Sequence, residues 1–282
     1  MRIGISGKRK WDEQHYQKLR SFGFDCHDFG TADTNAALYS YNDKDFEQYL
    51  SREKSLADEA GITIWQVHGP WRWPPLDQTP DDRAERFEKM SRSICAAKLL
   101  GAPYWVVHPL MPFGVQEAKT DQALQTKEIN LEFMSKLLAV AKQEGVTICL
   151  ENMPFVDFSL SSSAAIIEVV KEINDPSFAM CLDTGHANVC PAWHQPGEAI
   201  RDFAQWIKVM HVHDNKGVRD EHLIPFFGTI DWKDFSAALR ETAFDGVLSL
   251  ECAPSDKLPD DILEDLYVAY YRIAKEISDP RG

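Results

Sequence analysis

Histidines and carboxylates recur along this chain, and most of them stand at or just after the end of a short apolar run. The set comprises His68, His108, Glu151, Asp183, His186, His211 and Glu251. Such side chains are common ligands of divalent cations, and a positioned carboxylate can also remove and return a proton. The densest stretch, MHVHDNKGVRDEH at positions 210–222, holds three histidines and three acidic residues. Metal binding or proton transfer at one shared site requires a fold that brings these segments together.

The elements that carry these residues alternate along the chain. Short β-branched or aromatic runs are followed by longer amphipathic segments, several of which end at a glycine such as Gly61 or Gly101. The predicted strands are 1–6, 24–30, 62–69, 103–109, 146–152, 178–185, 208–214 and 247–252. Eight βα units in 282 residues, without a proline- or glycine-rich linker, predict a (β/α)8 TIM barrel, a single α/β domain over residues 1–282. A doubly wound open sheet is the alternative.

A barrel gathers the polar residues at one mouth, because the active-site residues of such barrels come from the C-terminal ends of the strands. Alternation along each strand puts small residues on the face of Glu151, Asp183 and Glu251, and bulky aliphatic residues on the other face. The three carboxylates are therefore predicted to point inward. His213 shares the face of His211, one step further toward the mouth.

Barrel geometry also predicts the spacing of the carboxylates. Those of Glu151 and Glu251 are expected about 5 Å apart, with room for one ion between them. Asp183 and His211 come from the two strands between, and the set suits one divalent metal ion, Mn²⁺, Mg²⁺, Co²⁺, Fe²⁺ or Zn²⁺. A single histidine at a strand end more often makes an ordinary hydrogen bond. Three carboxylates near one axis, however, are costly to bury without a cation, so the sequence predicts a metal.

Composition restricts the partners and the location of the protein. Thirty basic and 44 acidic residues give a formal net charge of −14, which makes nucleic acid an unlikely partner. The basic run Lys8-Arg9-Lys10 is interpreted as a solvated loop or as a contact for a sugar phosphate. No segment approaches the roughly 18 to 20 apolar residues that a membrane span needs, and the N-terminus does not resemble a signal peptide, so we expect a cytoplasmic protein. The six cysteines show no CxxC spacing, as is typical of reduced thiols.

Five motifs together resemble one known family. They are ICLENMP (148–154), CLDTGHAN (181–188), MHVHDNKGVRDEHL (210–223), GTIDW (228–232) and LSLECAP (248–254). Their order and spacing over nearly the whole chain resemble the xylose isomerase-like barrel superfamily, in the branch labelled AP endonuclease family 2, populated mostly by sugar isomerases and epimerases. The resemblance implies a metal-dependent isomerase or epimerase of a small sugar, sugar phosphate or keto-polyol.

The resemblance also implies roles for individual residues. Glu151, Asp183, His211 and Glu251 would hold one divalent ion, and the two glutamates would exchange the substrate proton through a metal-stabilised enediolate. The residues expected to bind a small carbohydrate are His68, Trp71, His108, His186, Arg219, Asp220 and His222. Within this set His186 would steady a substrate oxygen with Arg219 as its partner, while Asp220 and His222 would close over a polyol. Trp71, with Trp73, would pack on the C–H face of a sugar or simply against the proline-rich loop beside them.

The sequence departs from the family pattern in one loop and leaves other functions open. Where relatives often carry a PGEG-like loop, IPFFG (224–228) is expected to make the lip of the pocket apolar through Phe226 and Phe227. A dehydratase or lyase would use the same enediolate, and a sugar-binding protein without activity is a further alternative. A homo-oligomer is possible.

A second family member, endonuclease IV, binds three zinc ions through nine ligands, and this sequence resembles that set too. The nine corresponding residues are His68, His108, Glu151, Asp183, His186, His211, Asp220, His222 and Glu251. A tri-zinc phosphodiesterase acting on abasic DNA is therefore the alternative from a different class of enzyme. The acidic net charge disfavours it, because affinity for a phosphate backbone depends on basic residues.

Overall fold

The structure is a computed structural model that describes residues 1–7, 11–31, 36–75, 77–117, 120–255 and 257–279. For Thr120 it describes the backbone alone. The basic run Lys8-Arg9-Lys10 lies outside these residues.

Eight parallel strands form one sheet, each at a position predicted from the sequence. The strands are β1 (Arg2–Ser6), β2 (Cys26–Gly30), β3 (Thr63–His68), β4 (Tyr104–Val107), β5 (Thr147–Glu151), β6 (Phe178–Asp183), β7 (Ile207–His211) and β8 (Val247–Leu250). Their order, β7-β6-β5-β4-β3-β2-β1-β8, follows the chain and has no reversal. The sheet closes where Val212 N donates to Ser249 O (2.8 Å) and Glu251 N donates to Val212 O (3.0 Å). The (β/α)8 barrel is confirmed, and the doubly wound alternative is wrong.

Helices alternate with the strands and cover the outside of the barrel. They are α1 (His15–Phe22), α2 (Asp43–Ala60), α3 (Pro80–Leu100), α4 (Thr120–Glu144), α5 (Ser163–Ile173), α6 (Thr184–Asn188), α7 (Pro196–Phe203), α8 (Trp232–Glu241) and α9 (Asp260–Ser278). Gly61 and Gly101 end α2 and α3 in the left-handed conformation, with φ of 70° and 72°. Along the described part of the chain, no helix combines the length and the apolar character needed to cross a membrane.

The barrel interior and the layer under the helices are two separate buried clusters. The interior cluster consists of Val106, Cys149, Ala179, Cys181 and Val209, with Trp65 and Tyr104 packed against it. The main core lies between the outer face of the sheet and the helices. It contains the strand residues at the alternate positions, whose side chains point outward, such as Ile148, Leu150 and Leu182. The alternation inferred from the sequence is confirmed on β5 and β6, so their last residues, Glu151 and Asp183, point into the mouth.

One carboxylate organises the segment between β7 and α8. Asp214 accepts hydrogen bonds from six donors, which are the backbone N–H groups of Asn215 (2.9 Å), Phe226 (3.1 Å), Gly228 (3.0 Å), Thr229 (3.1 Å) and Ile230 (3.2 Å) and Nε1 of Trp232 (2.8 Å). A Cβ on Gly228 would lie 2.1 Å from Asp214 Oδ1, so this approach requires glycine. The segment thus wraps around a buried anion, and its middle, residues 219–222, extends over the mouth.

Asp214→Asn is expected to lower the free energy of unfolding by about 2–4 kcal/mol, because an amide nitrogen replaces an acceptor and leaves buried N–H groups without partners. Urea unfolding followed by circular dichroism measures the change. The matched control is Asp231→Asn at the exposed N-cap of α8, where asparagine caps as well as aspartate and little change is expected. Equal losses in the two variants would contradict the organising role of Asp214.

Candidate active site

The predicted metal ligands converge at the C-terminal mouth of the barrel. Glu151, Asp183, His211 and Glu251 each offer a ligand atom, and these atoms lie within 4.8 Å of one another. Glu151, Asp183 and His211 are fully buried, and the Glu251 side chain is 21% exposed. This spacing agrees with the separation of about 5 Å expected from barrel dimensions.

His211 lies at the centre of this group. Its Nδ1 is 3.1 Å from Glu151 Oε1 and 3.1 Å from Glu251 Oε2. Burial opposes protonation of the imidazole, but its acidic neighbours raise the pKa of His211 well above the ordinary value. Burial likewise opposes ionisation of the two carboxyls, but the nearby histidines, His211 foremost, hold the pKa of Glu151 and of Glu251 well below its usual range.

Asp28, in the middle of β2, lies on the other side of the His211 ring. Its Oδ2 lies 3.0 Å from His211 Nε2 and accepts a hydrogen bond from Gln66 Nε2 at 2.8 Å. A carboxylate in this position fixes the tautomer and orientation of a metal-binding histidine. The sequence analysis did not include Asp28. The sequence feature that could have identified Asp28 is an acidic residue inside a predicted strand. That strand neighbours β3, which carries His68.

The buried carboxylates fit a divalent cation. Among the described residues, Glu151 Oε2 and Glu251 Oε2 are buried and make no hydrogen bond of good geometry, although histidine nitrogens lie 3.2 Å and 3.1 Å from them. A buried anionic oxygen without a partner is unfavourable, and a cation between the two glutamates would satisfy both. Three carboxylates and one imidazole are compatible with Mn²⁺, Mg²⁺, Co²⁺, Fe²⁺ and Zn²⁺.

Two further predicted residues, His68 and His108, flank Glu151. Their Nε2 atoms lie 3.4 Å and 3.2 Å from Glu151 Oε2. The His68 ring stacks on His211, with centroids 5.4 Å apart, and Trp71 meets the His108 ring edge-on at 4.5 Å. Burial lowers the pKa of His108, although the carboxylate of Glu151 opposes this shift.

A second group of possible ligands lies beside the first. His186, His213, Asp220 and His222 offer ligand atoms within 4.8 Å of one another. Asp220 Oδ2 is 3.4 Å from His186 Nε2 and 2.9 Å from His222 Nε2. Although burial opposes it, the surrounding carboxylates raise the pKa of His186 to about 10 and that of His222 to about 9. His213 was not among the predicted site residues, although strand alternation indicated its inward direction.

Asp183 connects the two groups. Its Oδ1 accepts the backbone N–H of His186 (2.6 Å), which makes Asp183 the N-cap of α6, and its Oδ2 lies 2.9 Å from His213 Nε2. Asn152 holds the main chain of Asp183 through two hydrogen bonds. A Cβ on Gly185 would lie 2.0 Å from the His213 ring, so the DTGH motif lets this histidine pack under α6.

The structure does not bring every predicted residue to the site. Arg219 is 79% exposed and faces Glu221, with Nη2 3.3 Å from its Oε1, so the partner of His186 is Asp220 instead. Phe226 and Phe227 are 56% and 68% exposed and are absent from the described lining of the cavity. The expectation that they make the pocket lip apolar is wrong, because the hydrogen bonds of Asp214 fix the backbone of this loop with both rings facing solvent.

The mouth opens into a cavity of about 800 Å³ with two different sides. Carboxylates and imidazoles form one side, including Asp28, Glu151, His186, Asp220 and Glu251. The other side contains Trp71, Trp73, Met153, Pro154 and Phe155. The apolar wall is thus formed by the loops after β3 and β5. The loop after β3 carries Trp71 and Trp73, which were expected to pack on a sugar.

Comparison with known proteins gives relatives of two kinds. A protein of Methanocaldococcus jannaschii described as uncharacterized is 29% identical over 191 residues, which are 66% of this chain and 63% of that protein. The probable endonuclease 4 of Metamycoplasma arthritidis is 25% identical over 195 residues, 67% of this chain and 66% of that protein. The chain spans less than two thirds of the length of the first curated relatives it matches. The crystal structure of a D-tagatose 3-epimerase-like protein matches with a TM-score of 0.74 and 25% identity, covering 98% of this chain and 99% of that one.

The family model described as xylose isomerase-like TIM barrel matches residues 16–268. This range contains seven of the eight strands and all the site residues described above. The family resemblance of the sequence motifs is thereby confirmed, and the chain belongs to the xylose isomerase-like TIM barrel family.

Proposed function

We propose that this protein is a divalent-metal-dependent isomerase or epimerase of a small sugar, sugar phosphate or keto-polyol. The observation that carries the proposal is the pair of carboxylates, Glu151 at the end of β5 and Glu251 after β8, each 3.1 Å from the same nitrogen of His211. Two carboxylates carried so close together by different strands can both reach one substrate bound at the mouth. The D-tagatose 3-epimerase-like structure and the acid-rich wall of the cavity support a polyhydroxylated substrate.

The chemistry follows from where these groups lie. A divalent ion held by Glu151, Asp183, His211 and Glu251 would polarise a substrate carbonyl and its neighbouring hydroxyl and so acidify the C–H bond between them. One glutamate carboxylate takes that proton, and the other returns a proton to the opposite face or to the adjacent carbon. His186 and His222 hold the carboxylate of Asp220, which accepts hydrogen bonds from substrate hydroxyls. Expulsion of a hydroxyl instead of reprotonation would give the related dehydratase or lyase.

Glu151→Gln and Glu251→Gln are each expected to reduce turnover of the ketose substrate by at least about 100-fold, because an amide cannot exchange the proton. A panel of ketoses incubated with Mn²⁺ in D₂O measures both product and deuterium incorporation at carbon. Glu132→Gln, on the exposed surface of α4, is the control and should keep full activity. Full activity in either site variant, with the barrel folded, removes that glutamate from the proton-transfer pair.

Asp28→Asn is expected to weaken metal binding by about 10- to 100-fold, because the ring of His211 loses the carboxylate that fixes its tautomer. Titration calorimetry with Co²⁺ on protein first treated with EDTA measures the affinity directly, without any assay of activity. Asp58→Asn, on the exposed face of α2, is the matched control. An unchanged dissociation constant in a folded Asp28→Asn protein would show that Asp28 does not orient the ligand.

A specific observation also favours the tri-zinc phosphodiesterase. All nine residues that resemble the endonuclease IV ligands lie at the mouth, in the groups around Glu151, around His211 and around Asp220. The probable endonuclease 4 among the relatives supports this second candidate. Against it stands the formal net charge of −14, which is unfavourable for binding a phosphate backbone.

Metal stoichiometry separates the two candidates. The isomerase proposal expects one ion held per chain and no change of that number in His222→Ala. The phosphodiesterase expects three zinc ions, two in His222→Ala, and cleavage of DNA at an abasic site. Elemental analysis of the protein after gel filtration, paired with assays on abasic DNA and on ketoses, measures all of these. Three tightly held zinc ions with strand cleavage would overturn the isomerase proposal.

A further inference from the structure

An aromatic ledge lies at the cavity mouth, beyond the residues to which the proposed reaction assigns a role. It consists of Trp73 and Phe155, whose rings stack with centroids 5.8 Å apart and planes 23° from parallel. Trp73 is 63% exposed, although it is among the largest apolar side chains of the protein. An exposed aromatic surface that continues into a polar cavity is typical of a binding surface for a ligand with both apolar and polar parts.

The ledge continues outward from the proposed reaction site. Trp71 contacts His108 (4.5 Å between centroids), and His108 lies 3.2 Å from Glu151, so Trp71 borders the position of the reacting sugar. Trp73 follows 6.5 Å beyond Trp71. This step is close to the distance between two consecutive rings of a glycoside. A sugar ring presents C–H groups on its faces and hydroxyls at its edges, which suits a ring lying on the ledge while its hydroxyls face solvent.

The parts of the ledge are held in place before any ligand binds. The carbonyl of Phe155 accepts hydrogen bonds from Ser161 Oγ (2.6 Å) and from the backbone N–H of Phe158 (3.1 Å). Arg72, between the two tryptophans, donates from Nη1 to Glu85 Oε2 at 3.0 Å and so points away toward α3. Because the backbone of Phe155 is already anchored, a ligand loses less free energy in positioning this residue.

We propose that Trp73 and Phe155 form a subsite for a second ring, and that the ligand is a ketose carrying a glycosyl substituent. The proposal rests on the proposed function for the first ring, which lies between Trp71 and the carboxylates. The cavity of about 800 Å³ is consistent with a ligand larger than one sugar, since pockets for drug-sized molecules measure about 300–1,000 Å³. The ledge selects the substituent, and the glutamates act on the ketose.

Binding rather than turnover tests this subsite. The probes are D-fructose and the glucosyl-fructoses turanose, maltulose, leucrose and palatinose, titrated calorimetrically into the Mn²⁺-loaded protein. At least one glucosyl-fructose should bind about tenfold more tightly than fructose, because an aromatic face contributes up to that factor. Trp73→Ala should remove this preference for the glucosyl-fructose over fructose, and Trp73→Phe should retain most of it.

Controls keep the result specific. Since Trp73 is largely exposed, Trp73→Ala should remain folded. The control is Phe227→Ala, which removes another exposed aromatic side chain outside the described cavity lining. This variant should keep the preference for a glucosyl-fructose over fructose. The subsite is overturned if no glucosyl-fructose binds more tightly than fructose, or if Trp73→Ala keeps the preference. Ledge-dependent binding without turnover of any bound ketose would contradict the proposed function and leave the subsite standing, so the two failures are distinguishable.

Discussion

The burial of carboxylates around a single imidazole is the constraint on which the rest of this structure depends. Glu151 and Asp183 are buried at the barrel mouth and Glu251 is largely so, and their ionised forms require nearby positive charge or hydrogen-bond donors. His211 and the other histidines supply part of this compensation, and the same proximity holds the pKa of both glutamates low. The unpaired oxygens that remain are the basis for the metal proposal.

Further groups hold the side chains of this first set in place, and they come from different parts of the fold. Asp28 reaches His211 from β2, while Asp183 is held by α6, by Asn152 and by His213. The segment that carries Asp220 and His222 is held by the hydrogen bonds that its backbone N–H groups donate to the buried carboxylate of Asp214. The strands therefore fix the first group of ligands, whereas a loop wrapped around one anion fixes the second.

This division explains why one scaffold supports two candidate reactions. The strand-borne carboxylates suit proton transfer with one ion, whereas the loop-borne group of Asp220 and His222 either grips a polyol or completes a set for several metals. The aromatic residues that line the cavity favour the polyol.

The sequence by itself determined the eight βα units, the inward direction of Glu151 and Asp183, and the convergence of the ligand set. It could do so because strand alternation is local and because parallel strands end at the same edge. Only the tertiary structure decided the rest. Asp28 and His211 are separated by 183 positions, and the loop that carries Phe226 and Phe227 is shaped by hydrogen bonds to Asp214 from residues 12 and 14 positions away. The pairing of Trp73 with Phe155 likewise joins two loops, and no periodicity in the chain encodes such contacts.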